Sequence, residues 1–229
     1  MSCLTCSSPL TLSLAPDSSS ESSSGGPSNP TVDTVPDDLH LTTCSHHFHW
    51  QCLIDQSPTI SLTLRCPACD TYLPTPSTST STSSQPTIPA IYTSENGASP
   101  LDLLPILTEE AFLLANPSAR PARALHTLAA EGDVEGMVDL LRDVAGEEVD
   151  VVRWTDPLNG GKTALHVAVE AGQEEVVWFL LWVGSRVEEG RFPGVVVQLA
   201  GAMGVGRGDF GVGEDVRGLR DGSGRVAGE

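Results

Sequence analysis

Positive charge is scarce in this chain. Its 229 residues carry 12 lysines and arginines against 30 aspartates and glutamates, a formal net charge of −18. No basic run occurs, and an acidic surface repels phosphate backbones and anionic lipid, so neither nucleic-acid nor membrane-surface binding is expected. Long apolar runs are lacking too. The longest, Val176 to Val183, falls far short of the ~20 residues that span a bilayer. The opening MSCLTCSSPL has no positive n-region and no apolar h-region, which argues against a secretory leader. Without export, the six cysteines are expected as thiols or metal ligands rather than disulfides. A cytoplasmic or nuclear protein is the expectation.

Composition divides the chain. Residues 7–43 are rich in Ser, Pro and Asp, as in SSSESSSGGPSNP, and offer little to bury; a flexible insertion is expected. Residues 74–100, with PTPSTSTSTSSQPTIP, have the same character and predict a linker. Both tracts offer hydroxyls for phosphorylation, but a solubilising spacer is the simpler reading. From about Leu101, Leu, Ala, Val and Glu take over with apolar residues at helical spacing, and all positive charges but Arg65 lie beyond that point.

Every cysteine lies before residue 70. Cys3 and Cys6 form one CxxC pair, Cys66 and Cys69 another. Between them, CSHHFHWQC supplies Cys44-x-His46 and His49-x-x-Cys52. CxxC spacing lets two sulfurs reach one tetrahedral ion from a tight turn. Eight ligands in the order CxxC, CxH, HxxC, CxxC suit two zinc ions. His47 is an alternative to His46, which fits the CxH spacing better; His40 reads as a loop histidine.

This order resembles the RING finger in its variant with two central histidines, over residues 1–73; Phe48 and Leu53 fit as well. The resemblance implies a small zinc-stabilised domain of a short β-hairpin plus helix, with interleaved ligands. Cys3, Cys6, His49 and Cys52 would hold one zinc, and Cys44, His46, Cys66 and Cys69 the other. It implies a ubiquitin ligase that binds a ubiquitin-charged conjugating enzyme and carries no nucleophile itself. Of the groove that contacts this partner, Pro67 matches the family and Leu4 is an apolar residue shifted by one place. Thr5, Gln56 and Asp70 stand where the family usually has an apolar residue, a tryptophan and an Arg or Lys. The 37 residues between Cys6 and Cys44 are a long insertion, tolerable because loop-closure entropy grows slowly with length.

The second half repeats itself. RALHTLAAEGDVEGMVDLL (Arg123 to Leu141) and TALHVAVEAGQEEVVWFLL (Thr163 to Leu181) align at an offset of 40. They share Ala-Leu-His, a glycine at Gly132 and Gly172, a glutamate at Glu135 and Glu175, and a closing Leu-Leu. The pattern resembles the ankyrin repeat, whose period is about 33 residues. The excess is expected near Val151 to Asn159. The resemblance implies an all-α repeat solenoid over 101–229 that binds an unknown protein substrate. Repeats would fall at about 120–150 and 160–190, with a partial third from Asp221 that suggests a truncated array. Leu103 to Leu114 is expected as a cap helix. Gly132 and Gly172 should end helices at positive φ, and Leu125, Leu140, Leu141, Leu165, Leu180 and Leu181 should be buried. His126 and His166 would bond backbone at the turns.

Two look-alikes are set aside. Gly161-Lys162-Thr163 mimics the end of a P-loop, but Asp156 stands where its first glycine belongs. Gly206-Arg-Gly-Asp-Phe-Gly211 matches GxGxxG without a strand and helix around it. Trp178 and Trp182 share a helix face and are expected in the core. The expectation is a multidomain RING-type ligase with ankyrin repeats; the alternative is a zinc-binding adaptor without transfer chemistry.

Overall fold

The computed structural model describes residues 1–13, 34–76, 86–145, 150–207 and 213–229. The chain forms two compact units, Met1–Ala115 and Asn116–Glu229. Among the described residues no helix is long and apolar enough to cross a membrane.

The first unit is rich in strands. Strand β1 (Thr11–Ser13) pairs with β2 (Thr34–Pro36). Strand β3 (Asp38–Leu41) turns back into β4 (His46–Phe48), and helices α1 (Trp50–Ile54) and α2 (Ser57–Thr63) follow. Short strands β5 (Thr75–Pro76) and β6 (Pro86–Thr87) lead to the hairpin of β7 (Pro89–Ser94) and β8 (Gly97–Asp102), then to α3 (Leu103–Ala115). The main sheet is antiparallel in the order β4-β3-β7-β8. Its register sets Leu39 opposite Phe48 and Leu41 opposite Ala90. All four are buried, with Leu53, Ile60 and Ile88 beneath them. Side chains alternate across a strand, so His40 and His47 share the other face.

Two expectations are corrected here. Of the predicted flexible insertion, Thr11–Ser13, Thr34–Pro36 and Asp38–Leu41 are strands; in the last, Leu39 and Leu41 alternate with polar residues and give β3 one buried face. Residues 14–33 lie outside the described residues. Likewise most of residues 86–100 of the predicted linker is strand, with Ile88 and Ala90 carrying the same alternation. A short turn at Glu95–Asn96 joins β7 to β8, and Gly97 accepts the φ of +97° that follows it. Pro100 sits in the edge strand β8, where its missing N–H breaks no ladder. Residues 77–85 lie outside the described residues. The predicted cap helix, α3, buries Leu103 and Leu107 in the first unit's core and packs on α2.

The second unit contains two helix pairs, α4 (Arg120–Glu131) with α5 (Val134–Asp143) and α6 (Ala164–Ala171) with α7 (Glu174–Gly184), followed by α8 (Gly194–Ala202). Gly132 and Gly172 end the first helix of each pair at φ +85° and +71°. Helix α4 packs on α6 through Ala122, Ala129, Ala164 and Ala168, small residues that are all fully buried. Leu125, Leu141, Leu165 and Leu180 are buried; Leu140 and Leu181 only partly so, at the margin of the same core. Of the expected excess segment, Val151 and Val152 enter this core and Asp156 is fully buried. The P-loop look-alike is a turn entering a helix, with the Thr163 hydroxyl and His166 forming a capping box. Residues 208–211 of the GxGxxG look-alike lie outside the described residues.

The two repeats are held to their successors differently. His166 Nδ1 lies 2.8 Å from the Thr163 hydroxyl, and its Nε2 3.1 Å from the carbonyl oxygen of Arg225. The turn at Asp221 also meets the turn before it, where Gly222 N–H donates to Gly160 O at 2.7 Å. In the first repeat Arg123 occupies the place of Thr163, so His126 has no hydroxyl to engage. Arg123 instead reaches across to the buried carboxylate of Asp156. His126 is buried with neither ring nitrogen hydrogen-bonded, edge-on to Trp154 at 5.3 Å.

Burial pushes the His126 imidazole down to about 4, against about 6.5 in an unfolded chain. At pH 5 the unfolded state therefore takes up a proton that the folded state refuses. The stability that His126 permits is whole above about pH 6.5 and is lost as pH falls toward 4. Between pH 7 and pH 5 the chain should lose on the order of 2 kcal/mol through this residue. Urea titrations of the wild type and of His126→Leu should show that pH dependence shrinking by this amount; an unchanged dependence would rule the mechanism out.

Candidate metal centre

Two knuckles of one design present the CxxC pairs. The Cys3 N–H donates to Ser8 O at 2.9 Å and the Ser7 N–H to Cys3 O at 2.8 Å; Cys66 N–H to Thr71 O and Asp70 N–H to Cys66 O repeat this at 2.9 Å each. Ser7 and Asp70 take left-handed φ values of +62° and +58°, which turn the chain back over each pair. Bridges Ser2–Pro9 and Arg65–Tyr72 close the two bases. Cys44 and His46 flank the tight turn from β3 to β4, where Ser45 also has a positive φ of +55°. His49 caps α1 and Cys52 lies within it. Asp37 fixes the start of that helix: its buried carboxylate accepts from Trp50 N–H and from the Tyr92 hydroxyl, both at 3.1 Å.

These pieces bring eight side chains into two groups: Cys3, Cys6, His49 and Cys52 in one, Cys44, His46, Cys66 and Cys69 in the other. Within each group all ligand atoms lie within 4.8 Å of one another. In the first, His49 Nδ1 is 3.2 Å from Cys6 Sγ and 3.8 Å from Cys52 Sγ. In the second, His46 Nδ1 is 3.6 Å from Cys66 Sγ. Zinc–ligand bonds of about 2.0 to 2.3 Å in a tetrahedron set ligand atoms ~3.5–3.8 Å apart, so the donor sets fit such an ion in size and chemistry. Nε2 of His49 lies 2.7 Å from the Pro9 carbonyl oxygen; donating there leaves Nδ1 free to ligate. The Thr71 hydroxyl lies 3.1 Å from Cys69 Sγ. Pro9 and Thr71 support the site, yet no ligand spacing in the sequence marks them.

The thiols within each group differ sharply. Burial raises the Cys3 thiol, but backbone groups of Cys6, His49 and Thr5 outweigh it and hold it at about 6. Cys52 is pushed up to about 12, first by burial and then by Cys3 and Cys6. In the second group the Thr71 hydroxyl and backbone draw Cys69 down to about 7, while burial and then Cys66 push Cys44 up to about 12. Three thiols packed this closely oppose one another's ionisation; a divalent ion held there would supply the compensating charge and displace the remaining protons.

The other sequence candidates lie outside both groups. His47 pairs with Asp38 at 2.8 Å and stacks on His40, with ring centroids 4.5 Å apart. Leu4 and Pro67 are exposed on the two knuckles. Gln56 donates through Nε2 to the Thr5 hydroxyl at 3.1 Å and to Cys52 O at 2.9 Å.

Residues 91–189 match the family model described as ankyrin repeats (3 copies). The chain carries ankyrin repeats. The match takes in both helix pairs of the second unit and starts within β7, so it includes the β7-β8 hairpin and α3; residues from Asp221 onward lie beyond it. It does not extend to the cysteine and histidine ligands. No curated protein and no solved structure matches the chain.

Extensively dialysed protein should carry about two zinc ions per chain by elemental analysis, one for each group. Cys52→Ser and Cys44→Ser should each reduce this to about one. Metal-free wild type would sink the reading of both groups as metal sites.

Proposed function

We propose that the chain is a RING-type ubiquitin ligase whose ankyrin repeats bind a protein substrate. The observation that carries this is the interleaving. The Cys3–Cys6 knuckle joins His49 and Cys52, while Cys44 and His46, which precede these two in the chain, join the Cys66–Cys69 knuckle, the alternation that the RING resemblance implies. Ankyrin repeats in the same chain supply the means to hold a protein partner. In this reading the two zinc ions are structural. The knuckles, with Leu4 and Pro67 at their tips, face a ubiquitin-charged conjugating enzyme, and catalysis consists of orienting its thioester toward a substrate amine. The amine attacks the thioester carbon, an amide forms, and the conjugating enzyme's cysteine leaves as thiolate.

Arg65 is the only lysine or arginine in residues 1–115. Its guanidinium donates to Asp70 O at 2.7 Å and to Asp70 Oδ2 at 3.3 Å. It thus stands on the turn where the family usually has an Arg or Lys, and we assign it that ubiquitin contact. A second reading, an adaptor without transfer chemistry, draws support from the Gln56–Thr5 hydrogen bond, which puts polar groups where the family's groove is apolar.

Self-modification is a poor assay here, because Lys162 is the only lysine and its amine is bound to Glu170 at 2.7 Å. Discharge of a ubiquitin-charged conjugating enzyme onto free lysine avoids that difficulty. The zinc-loaded chain should speed discharge by about tenfold or more through orientation alone. Cys66→Ser should abolish the effect and Arg65→Ala should weaken it, whereas Lys162→Arg should leave it unchanged. A zinc-loaded chain that accelerates no member of a conjugating-enzyme panel would establish the adaptor reading instead.

A further inference from the structure

Helix α8 is unusual in its exposure. Its sequence GVVVQLAGA is apolar on every side, yet only Ala200 is buried, while Val195 and Leu199 are 60% and 49% exposed. Helices apolar all round are ordinarily enclosed, so among the described residues this one has a face without a partner. That face forms one wall of a groove of about 440 Å³. Trp178 of α7 also lines it, together with Glu135 of α5 and Glu174 and Glu175 of α7. No basic side chain lines the groove. Among the described residues none of the three glutamates is ion-paired; the indole N–H of Trp178 donates to Glu174 at 3.4 Å.

We infer that this groove binds a segment of a protein partner in which apolar residues alternate with lysine or arginine. The apolar wall requires a ligand that shields Val195, Leu199 and Trp178 from water, worth most where such side chains are brought together. The carboxylates that line the groove select cationic neighbours and reject anionic ones. The same carboxylates make a second copy of this chain a poor occupant, because a two-fold contact would set Glu against Glu in a molecule of net charge −18. A ligase and a passive adaptor would use this groove alike, so the inference stands independently of transfer activity.

The test uses two synthetic peptides of equal length and equal leucine content, one with lysines and one with glutamates between the leucines. Each carries a fluorophore and is titrated with the full chain by anisotropy. The lysine peptide should bind at least tenfold more tightly. Leu199→Glu separates groove binding from general attraction: it adds negative charge, yet should weaken the lysine peptide at least fivefold. Glu174→Gln with Glu175→Gln, a surface change that leaves the core intact, should also weaken it and lower its salt dependence. Binding that strengthens in Leu199→Glu, or is indifferent to the glutamine pair, would overturn the inference. So would a concentration-dependent dimer abolished by Leu199→Glu, since the groove would then be filled by its own kind.

Discussion

Three thiolates cannot crowd together beside a histidine without a cation among them. This one electrostatic constraint governs the first unit. In each group one thiol is drawn down by neighbouring hydrogen-bond donors while another is pushed up by burial and its fellow cysteines. Everything nearby is arranged to bring these donors together regardless. The two knuckles spend backbone hydrogen bonds and left-handed residues on aiming four sulfurs. The β3-β4 turn aims Cys44 and His46, and Asp37 anchors the helix that carries Cys52. The apolar core beneath, from Leu39 to Leu107, is small, and ions that tie distant segments together supplement such a core.

The second unit solves a different problem, how to fasten one helix pair to the next. A histidine at the start of the first helix can do so when a hydroxyl three residues earlier orients its ring, as Thr163 does for His166. Where Arg123 replaces the hydroxyl, the fastening becomes an ion pair to Asp156, and His126 is left as a buried apolar filler beside Trp154. Buried ion pairs repay their desolvation poorly unless further bonded. Asp156 meets that condition, since its other oxygen accepts from Leu158 N–H at 2.9 Å and its carbonyl from Gly161 N–H at 2.7 Å.

Much of this was legible in the residues, for physical reasons. Glycine after an amphipathic run signals a left-handed cap, and Gly132 and Gly172 are such caps. Ligand spacing singled out eight donors because CxxC, CxH and HxxC are short-range geometry, and those eight stand in two groups of four. What was not legible depends on long-range pairing. The strands at 34–41 and 86–102 sit in polar, Ser/Thr/Pro-rich surroundings, and each has too few apolar residues to announce itself alone. They exist because Leu39 and Leu41 meet Phe48 on one side and Ala90 on the other. Helix α3 has a mostly apolar sequence whose partner its own pattern does not name, and it packs on α2. The swap of Thr163 for Arg123 was visible, but its consequence required knowing that Asp156 lies within reach.

The place of β3 in its sheet has a consequence for synthesis. It pairs locally with β4 and distantly with β7, and the core closes only when Leu103 and Leu107 of α3 arrive. All six cysteines leave the ribosome well before that. At ~5–20 residues per second, the stretch from Cys69 to Leu107 takes a few seconds to appear. Through that interval the thiols are on an unfinished chain, open to metal or to oxidant, and whichever arrives first decides whether the unit can be completed.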